Sequence, residues 1–342
     1  MKLATIGIDL GKTTFHVAGT DTEGRVVLRK RLSRSELLTF FAKLPPTLIG
    51  MEACCGAHWL ARELVRLGHD ARLMPAQYVR PYVKSQKNDT IDAEATAEAV
   101  RRPGMRFVPI KTPEQLDLQA LHRVRERLVG RRTSAVNQIR GFLIDRGIAI
   151  PTGLSALRRR LPEVLARPDE RLSPRMCGLL SRLWEECCDL DEAIERLGDE
   201  ITALAADDAT CCRLMEVPGV GPLIATALVA AIADGNAFHR SRDLSAWLGL
   251  VPRQVSTGGK TRLLGITKRG NTYLRRLFIQ GANSIRLNLK RSRHRLGPWL
   301  DALEARAPKS VAIIALANKL VRIAWAVLTR GERYRALEPT LA

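Results

Sequence analysis

Up to about residue 110, short apolar runs alternate with helix-period segments, and that order restricts this part of the chain to a layered α/β structure. Ala4 to Leu10, Phe15 to Asp21 and Val26 to Leu32 read as three strands joined by short turns. A helix from Ser35 to Leu44, a strand from Thr47 to Met51, a helix from Ala57 to Leu67, a strand from Ala71 to Met74 and a helix from Asp89 to about Arg101 follow. Such an order predicts a mixed sheet with helices packed on it. Its elements terminate in acids: Asp9 closes the first strand, and Glu52 follows the fourth. Asp89 and Asp92, at i and i+3 in the first turn of a helix, project to one face near its positive end. Four carboxylates delivered this way suit a hard, oxygen-loving cation such as Mg2+, with Mn2+ as a substitute. Metal-dependent strand chemistry on nucleic acid is the function class they suggest.

The charge agrees. The chain has 55 Lys and Arg against 35 Asp and Glu, a formal net charge of +20, so a polyanion is the expected partner. The excess is uneven: from Leu244 to Leu300 there is no acid, against Arg253, Lys260, Arg262, Lys268, Arg269, Arg275, Arg276, Arg286, Lys290, Arg291, Arg293 and Arg295. A solvated face usually mixes signs, and this stretch is read as a phosphate-binding surface. No basic-then-apolar leader opens the sequence and the apolar C-terminal helix is interrupted by Lys319 and Arg322, so a cytoplasmic, nucleoid-associated protein without membrane contact is expected. The seven cysteines fit neither a zinc site nor a disulfide framework. Free, mostly buried thiols are expected.

A basic helix from Thr112 to about Arg146 is read as an extension of the first domain. Beyond it, Met176, Leu180, Leu183, Cys187, Leu190, Ile194, Leu197, Ile201 and Leu204 recur at alternating spacings of four and three. This is an a/d heptad seam that favours dimerisation through a coiled coil over the alternative, an ordinary long helix packing within the chain. Further on, Val217-Pro218-Gly219-Val220-Gly221-Pro222 resembles a helix-hairpin-helix turn, whose glycines let backbone N–H groups approach a phosphate; a plain Gly-Pro helix start reads equally well. Ser256, before Thr257-Gly258-Gly259 and among bases, is suited to bring a hydroxyl to a phosphodiester, although a lone Ser-Thr-Gly-Gly is otherwise a surface turn.

Several motifs occur together and in order: Gly7-Ile8-Asp9-Leu10-Gly11-Lys12, Met51-Glu52-Ala53, Lys87-Asn88-Asp89-x-x-Asp92-Ala93 and Pro218-Gly219-Val220-Gly221-Pro222. They continue with Gly249-Leu250-Val251-Pro252-Arg253-Gln254-x-Ser256-Thr257-Gly258-Gly259-Lys260, Ile266 to Asn271, Ala315 to Lys319 and Ile323-Ala324-Trp325. The set resembles the DEDD transposases of bacterial insertion sequences, the bridge-RNA-guided serine recombinases. The resemblance implies an α/β plus α architecture. A ribonuclease-H-like (RuvC-like) domain with its basic helical extension would cover 1–150, a coiled-coil linker 151–208, and a mostly helical, serine-bearing transposase domain 209–342. It implies Asp9, Glu52, Asp89 and Asp92 as the metal-site acids and Ser256 as the nucleophile. It implies double-stranded DNA and a structured guide RNA as partners of a homodimer or higher assembly. Arg253, Lys260, Arg262, Lys268, Arg269, Arg275 and Arg276 are the expected nucleic-acid contacts. Gly11 departs from the relatives, where alanine or serine is common, and Thr257 offers a second hydroxyl.

The rival readings make different demands. A RuvC-like nuclease using water would need the acids and not Ser256. A sugar-kinase or actin-like ATPase shares the opening Gly-Ile-Asp-Leu-Gly but would require a second phosphate-binding glycine loop. Gly7 stands one residue too close to Gly11-Lys12-Thr13 for a P-loop. A non-catalytic nucleic-acid-binding protein would leave four converging acids in a basic chain without a purpose.

Overall fold

The structure, a computed structural model, describes residues 3–83, 88–168, 170–294 and 296–335. Lys87 of the Lys-Asn-Asp motif and Arg295 of the basic run lie outside the described residues. The chain divides into two compact units, Met1–Pro113 and Glu114–Ala342.

In the first unit, β1 (Thr5–Leu10), β2 (Thr14–Thr20) and β3 (Val26–Ser33) precede α1 (Arg34–Phe41), β4 (Leu48–Glu52) and α2 (Ala57–Arg66). Then come β5 (Asp70–Met74), the single turn α3 (Ala76–Val79) and α4 (Asp89–Ala99). The five strands form one mixed sheet in the order β3-β2-β1-β4-β5, with the first three antiparallel and β1, β4 and β5 parallel. This mixed sheet agrees with the expected order and is compatible with a ribonuclease-H-like domain.

Alternation along the strands assigns the two faces of the sheet. Ile6 and Ile8 of β1, Phe15 and Val17 of β2 and Ile49 and Met51 of β4 pack with Leu37 and Phe41 of α1 and Leu60 and Leu64 of α2. Each fully buried aliphatic side chain there contributes roughly 1.5–3 kcal/mol. The opposite face carries Gly7 and Gly50, directly paired across β1 and β4, and α4 lies on them. A Cβ on Gly7 would run into backbone atoms of Ala93 and Ala97, and one on Gly50 would stand 2.8 Å from Val100 Cβ. Glycines in the strands and alanines on the helix therefore allow a close approach that larger residues would prevent.

Among the described residues, the second unit is helical apart from one hairpin. It contains α5 (Pro113–Ile144), α6 (Leu154–Ala166), α7 (Pro174–Asp207), α8 (Ala209–Met215), α9 (Pro222–Ile232) and α10 (Ser241–Trp247). The strands β6 (Pro252–Thr257) and β7 (Lys260–Ile266) follow, then α11 (Thr272–Asn288), α12 (Leu296–Glu304) and α13 (Lys309–Arg330). Although α5 reads from sequence as an extension of the first domain, its Ile139 and Leu143 pack with Leu157 and Leu161 of α6 and Leu180 and Cys187 of α7.

This packing takes up the a positions of the expected seam within the chain, as the alternative of an ordinary long helix requires. The a positions Leu180, Cys187, Ile194 and Ile201 are buried within the chain, so an amphipathic stripe that suits a second chain finds its partners in cis. Among the d positions, Leu190 is buried and Leu204 is 44% exposed. The acidic face of α7 is also engaged: Asp191 pairs with Arg132 and Arg158, and Glu186 with Arg131. Arg131 and Arg132, part of the basic helix read as an extension of the first domain, thus neutralise α7. All seven cysteines are free, but Cys187 and Cys211 alone among them are buried. Helix α13 is long and apolar enough to cross a membrane. It buries Leu316, Ala317, Leu320, Val321 and Ala324 in the core of its unit.

Candidate active site

The glycine-bearing face of the sheet is where the acids collect. On β1, Asp9 follows Gly7 on that face; on β4, Glu52 follows Gly50, each one step beyond the last parallel pair Ile8–Met51. Above them, Asn88 caps α4 by accepting from Thr90 N–H at 3.0 Å, and Asp89 and Asp92 occupy the first turn. The helix N-terminus favours negative charge at that position. Because α4 rests on Gly7 and Gly50 through backbone contacts, the depth of those glycines sets the height of its carboxylates over the sheet.

The closest cluster includes one residue that the sequence reading missed. Donor atoms of Asp9, His16 and Asp89 all lie within 4.8 Å of one another. His16 is the antiparallel partner of Asp9 across the β1–β2 hairpin, so its side chain shares the acid face, with Nδ1 3.6 Å from Asp89 Oδ2. The signal was present in the pairing of the two strands rather than in any motif. Glu52 and Asp92 stand outside this tight cluster. Glu52 nevertheless adds to the same field: partial burial pushes the Cys54 thiol up, and the charges of Glu52 and Asp9 add to that rise. Carboxylate oxygens and an imidazole nitrogen at these separations fit a six-coordinate divalent cation.

Ser256 is placed by the hairpin. Gly258 and Gly259 both have positive φ, 56° and 75°, which is the requirement of a two-residue turn between twisted strands. The Thr257-Gly258-Gly259 segment is therefore the tip of a regular β6–β7 hairpin. Every residue of β6 is exposed. Ser256 pairs with Thr261, its Oγ 3.3 Å from Thr261 Oγ1, and accepts from Gln254 Nε2 at 3.1 Å. Thr257, one step on, faces the opposite side with its partner Lys260.

The cations divide into two groups. Arg253, Lys260, Arg262, Lys268 and Arg269 are exposed on the hairpin or its outgoing leg, as a phosphate-contacting surface requires. Arg275 corrects the expectation. It is 8% exposed, and its guanidinium donates to Leu248 O, Arg269 O and Thr272 Oγ1, tying together the two legs of the hairpin. Asn318 of α13 reinforces the incoming leg by donating to Leu250 O. Arg276 is exposed but paired with Glu126 at 2.7 Å. Arg286 and Arg291 are engaged by Glu304, and Arg291 also by Asp301, acids just beyond the acid-free stretch.

The Pro-Gly-Val-Gly-Pro turn does join two helices, α8 and α9. Its Gly219, at φ 75°, is used in packing: a Cβ there would stand 2.6 Å from Ile285 Cδ1 and 2.8 Å from Gly281 O of α11. Close approach to α11, rather than to a phosphate, explains that glycine.

A mixed sheet that gathers carboxylates beneath a helix N-terminus is a framework for divalent-metal chemistry, and comparison with known proteins gives it a family. Residues 6–145 match a family profile described as a transposase, the DEDD type of IS110, and residues 211–296 match that of the transposase IS116/IS110/IS902 family. The chain is 45% identical over 328 residues to the transposase for insertion sequence element IS1328 of Yersinia enterocolitica, covering 95% of this chain and 97% of that protein. It is 46% identical over 336 residues to a probable family 20 transposase of Pseudomonas aeruginosa, covering 98% and 99%. To the transposase for insertion sequence element IS1111A of Coxiella burnetii it is 43% identical over 330 residues, covering 96% and 91%. The chain belongs to the IS116/IS110/IS902 family of insertion-sequence transposases, whose DEDD site implies a divalent metal.

Proposed function

We propose that this transposase cuts and rejoins DNA with Ser256 as nucleophile and with Mg2+ held by Asp9, Glu52, Asp89 and Asp92. The observation that carries the reading is the convergence of β1, β4 and the α4 N-terminus on one face of the sheet, fixed by the Gly7–Gly50 contact. A divalent ion held by those four acids would supply charge neutralisation for the phosphoryl oxygens and orientation of the leaving oxygen. Attack by Ser256 Oγ forms a serine–phosphorus ester as the bond from phosphorus to the leaving sugar oxygen breaks. The serine hydroxyl proton is given up and the leaving oxygen gains one. One ester replaces another, so the strand can be rejoined without ATP. Gln254 and Thr261 hold the hydroxyl on one face of the hairpin, while Arg253, Lys260, Arg262, Lys268 and Arg269 surround it with charge that suits the DNA backbone.

Family resemblance adds a structured guide RNA and a homodimeric or higher assembly to this proposal. RNA sequenced from protein expressed with the element's flanking non-coding DNA tests the first. Mixing Asp9→Asn chains with Ser256→Ala chains tests the second, because recovered recombination requires the serine of one chain to serve the acids of another. The chemical step is tested with each variant alone on a DNA substrate. Both should bind DNA and neither should exchange strands. Hydrolytic cleavage persisting in Ser256→Ala would favour a RuvC-like nuclease in which water attacks.

A further inference from the structure

We infer that His16 is a nitrogen ligand of the divalent-metal site and that it biases the site towards Mn2+ over Mg2+. The inference rests on the reading of Asp9 and Asp89 as metal-site acids and adds to it a donor from a different strand and of a different chemistry.

Three observations carry it. First, His16 is not near the acids by chance of rotamer alone: antiparallel pairing places it opposite Asp9, and strand alternation turns both side chains to the face covered by α4. Second, the spacing suits a shared ion. Metal–ligand bonds of about 2.1 Å in an octahedral shell put neighbouring donors roughly 3.0 Å apart and opposite donors roughly 4.2 Å apart. The 3.6 Å between His16 Nδ1 and Asp89 Oδ2 falls between those limits, and the 4.8 Å that bounds all three donor atoms exceeds the wider limit by about 0.6 Å, a difference that small side-chain rotations close as an ion is bound. Third, the imidazole is not committed elsewhere. A separation of 3.6 Å is too long for a hydrogen bond to Asp89, and among the described residues neither ring nitrogen of His16 makes one. Its side chain is 20% exposed, screened enough to be oriented and open enough to be reached by an ion.

The consequence for selectivity follows from ligand chemistry. Mg2+ is a hard ion that parts reluctantly with its water and takes oxygen donors. Imidazole is a ligand for first-row transition ions rather than for Mg2+, and Mn2+, which shares the carboxylate preference of Mg2+, is the member of that row that would accept one nitrogen beside several oxygens. Carboxylates alone would accept either ion, whereas carboxylates with His16 should prefer Mn2+.

The test uses the full-length chain and Mn2+ itself, read by electron paramagnetic resonance rather than by activity. Titration of free Mn2+, with Mg2+ as competitor, gives the two affinities for the wild type, His16→Gln, His16→Asn and Asp9→Asn. Pulsed measurements on the bound ion then report whether nitrogen is coupled to it, and 15N-histidine labelling assigns the signal to an imidazole. The wild type should show that coupling. His16→Gln and His16→Asn should lose it, and the Mn2+ affinity should fall at least about tenfold, the loss that even an outer-shell partner produces when removed, with a smaller change in the Mg2+ affinity. Bound Mn2+ without nitrogen coupling in the wild type, in a site that Asp9→Asn abolishes, would overturn the role of His16 and leave the acid site standing. Mn2+ binding indifferent to Asp9→Asn would overturn both. The wild-type spectrum decides the matter even if a His16 variant fails to fold.

Discussion

Replacing Gly7 by alanine should disable the transposase without touching any acid. A Cβ at Gly7 would stand 2.9 Å from Ala97 Cα and closer still to Ala93 O and Ala97 N, whereas ordinary contact begins at 3.4 Å. Helix α4 must therefore retreat by about 0.5 Å at the first of these atoms and by more at the other two. The obstacles are backbone atoms, so no rotamer change relieves them. Overpacking of this kind costs about 1–3 kcal/mol, which a domain can survive. Its larger effect is on the site, because Asp89 and Asp92 ride on the same helix and are carried away from Asp9 and Glu52. A misplacement of about 1 Å at reacting groups can cost about 100-fold in rate. Single-turnover cleavage of an end-labelled substrate, with Mn2+ affinity measured in parallel, should show a loss approaching that size while the helical circular dichroism persists. Gly130→Ala is the control, since a Cβ there meets nothing within 4 Å and alanine is favoured in a helix by roughly 0.5–1 kcal/mol. Wild-type cleavage and metal affinity in Gly7→Ala would refute the argument that glycine depth sets the carboxylate height.

Arg275→Ala should destabilise the second unit by several times the roughly 1.5–3 kcal/mol of one charge-assisted hydrogen bond at most, and by at least one such bond, since three acceptors lose their donor. Cleavage should fall while the salt dependence of DNA binding stays unchanged, which separates a strut of the hairpin from a phosphate contact. Ile194→Asp, at a 6% exposed position, should lower the denaturation midpoint whatever the protein concentration, because the seam is covered within the chain; a purely concentration-dependent effect would restore the intermolecular coil. His122 gives a pH signature. It is 3% exposed, and burial, followed by the charge of Arg125, lowers its pKa to about 4. Thr226 Oγ1 donates to Pro222 O, so it accepts from His122 Nε2–H, and Nδ1 accepts from Tyr273 O–H. The unfolded chain takes up this proton near pH 6.5 and the folded chain only near pH 4. The stabilisation is complete above pH 6.5 and is lost as pH falls towards 4, by up to about 3 kcal/mol. Urea titrations of His122→Gln should show a shallower slope across that window.

Much of the first unit was legible because buried strands announce themselves by apolar runs, with Asp9 and Glu52 near the ends of β1 and β4 and Asp89 at the start of α4. His16 was not, because its relation to Asp9 exists only once the register of β1 on β2 is known. The hairpin around Ser256 was missed for a different reason. Strands are recognised by one apolar face, and β6 has none, being exposed throughout. The Gly258-Gly259 pair was the available sign. Periodicity in α7 revealed a buried stripe correctly but carried no information on whether its partner lies in the same chain. Charge misled at Arg275: a guanidinium in a basic run looks like a phosphate ligand until the carbonyls of Leu248 and Arg269 are seen to take its protons.

The account turns on the bond that forms when DNA is cut, and that bond can be isolated. The wild-type protein, held on a substrate nicked so that rejoining cannot occur, should be denatured, digested with protease and nuclease, and its nucleotide-bearing peptide sequenced by mass spectrometry. The account predicts a phosphodiester on Ser256, absent from Asp9→Asn and from Ser256→Ala. An adduct on Thr257, on the opposite face of the hairpin, would contradict the assignment of the nucleophile, and cleaved DNA with no adduct at all would contradict covalent catalysis.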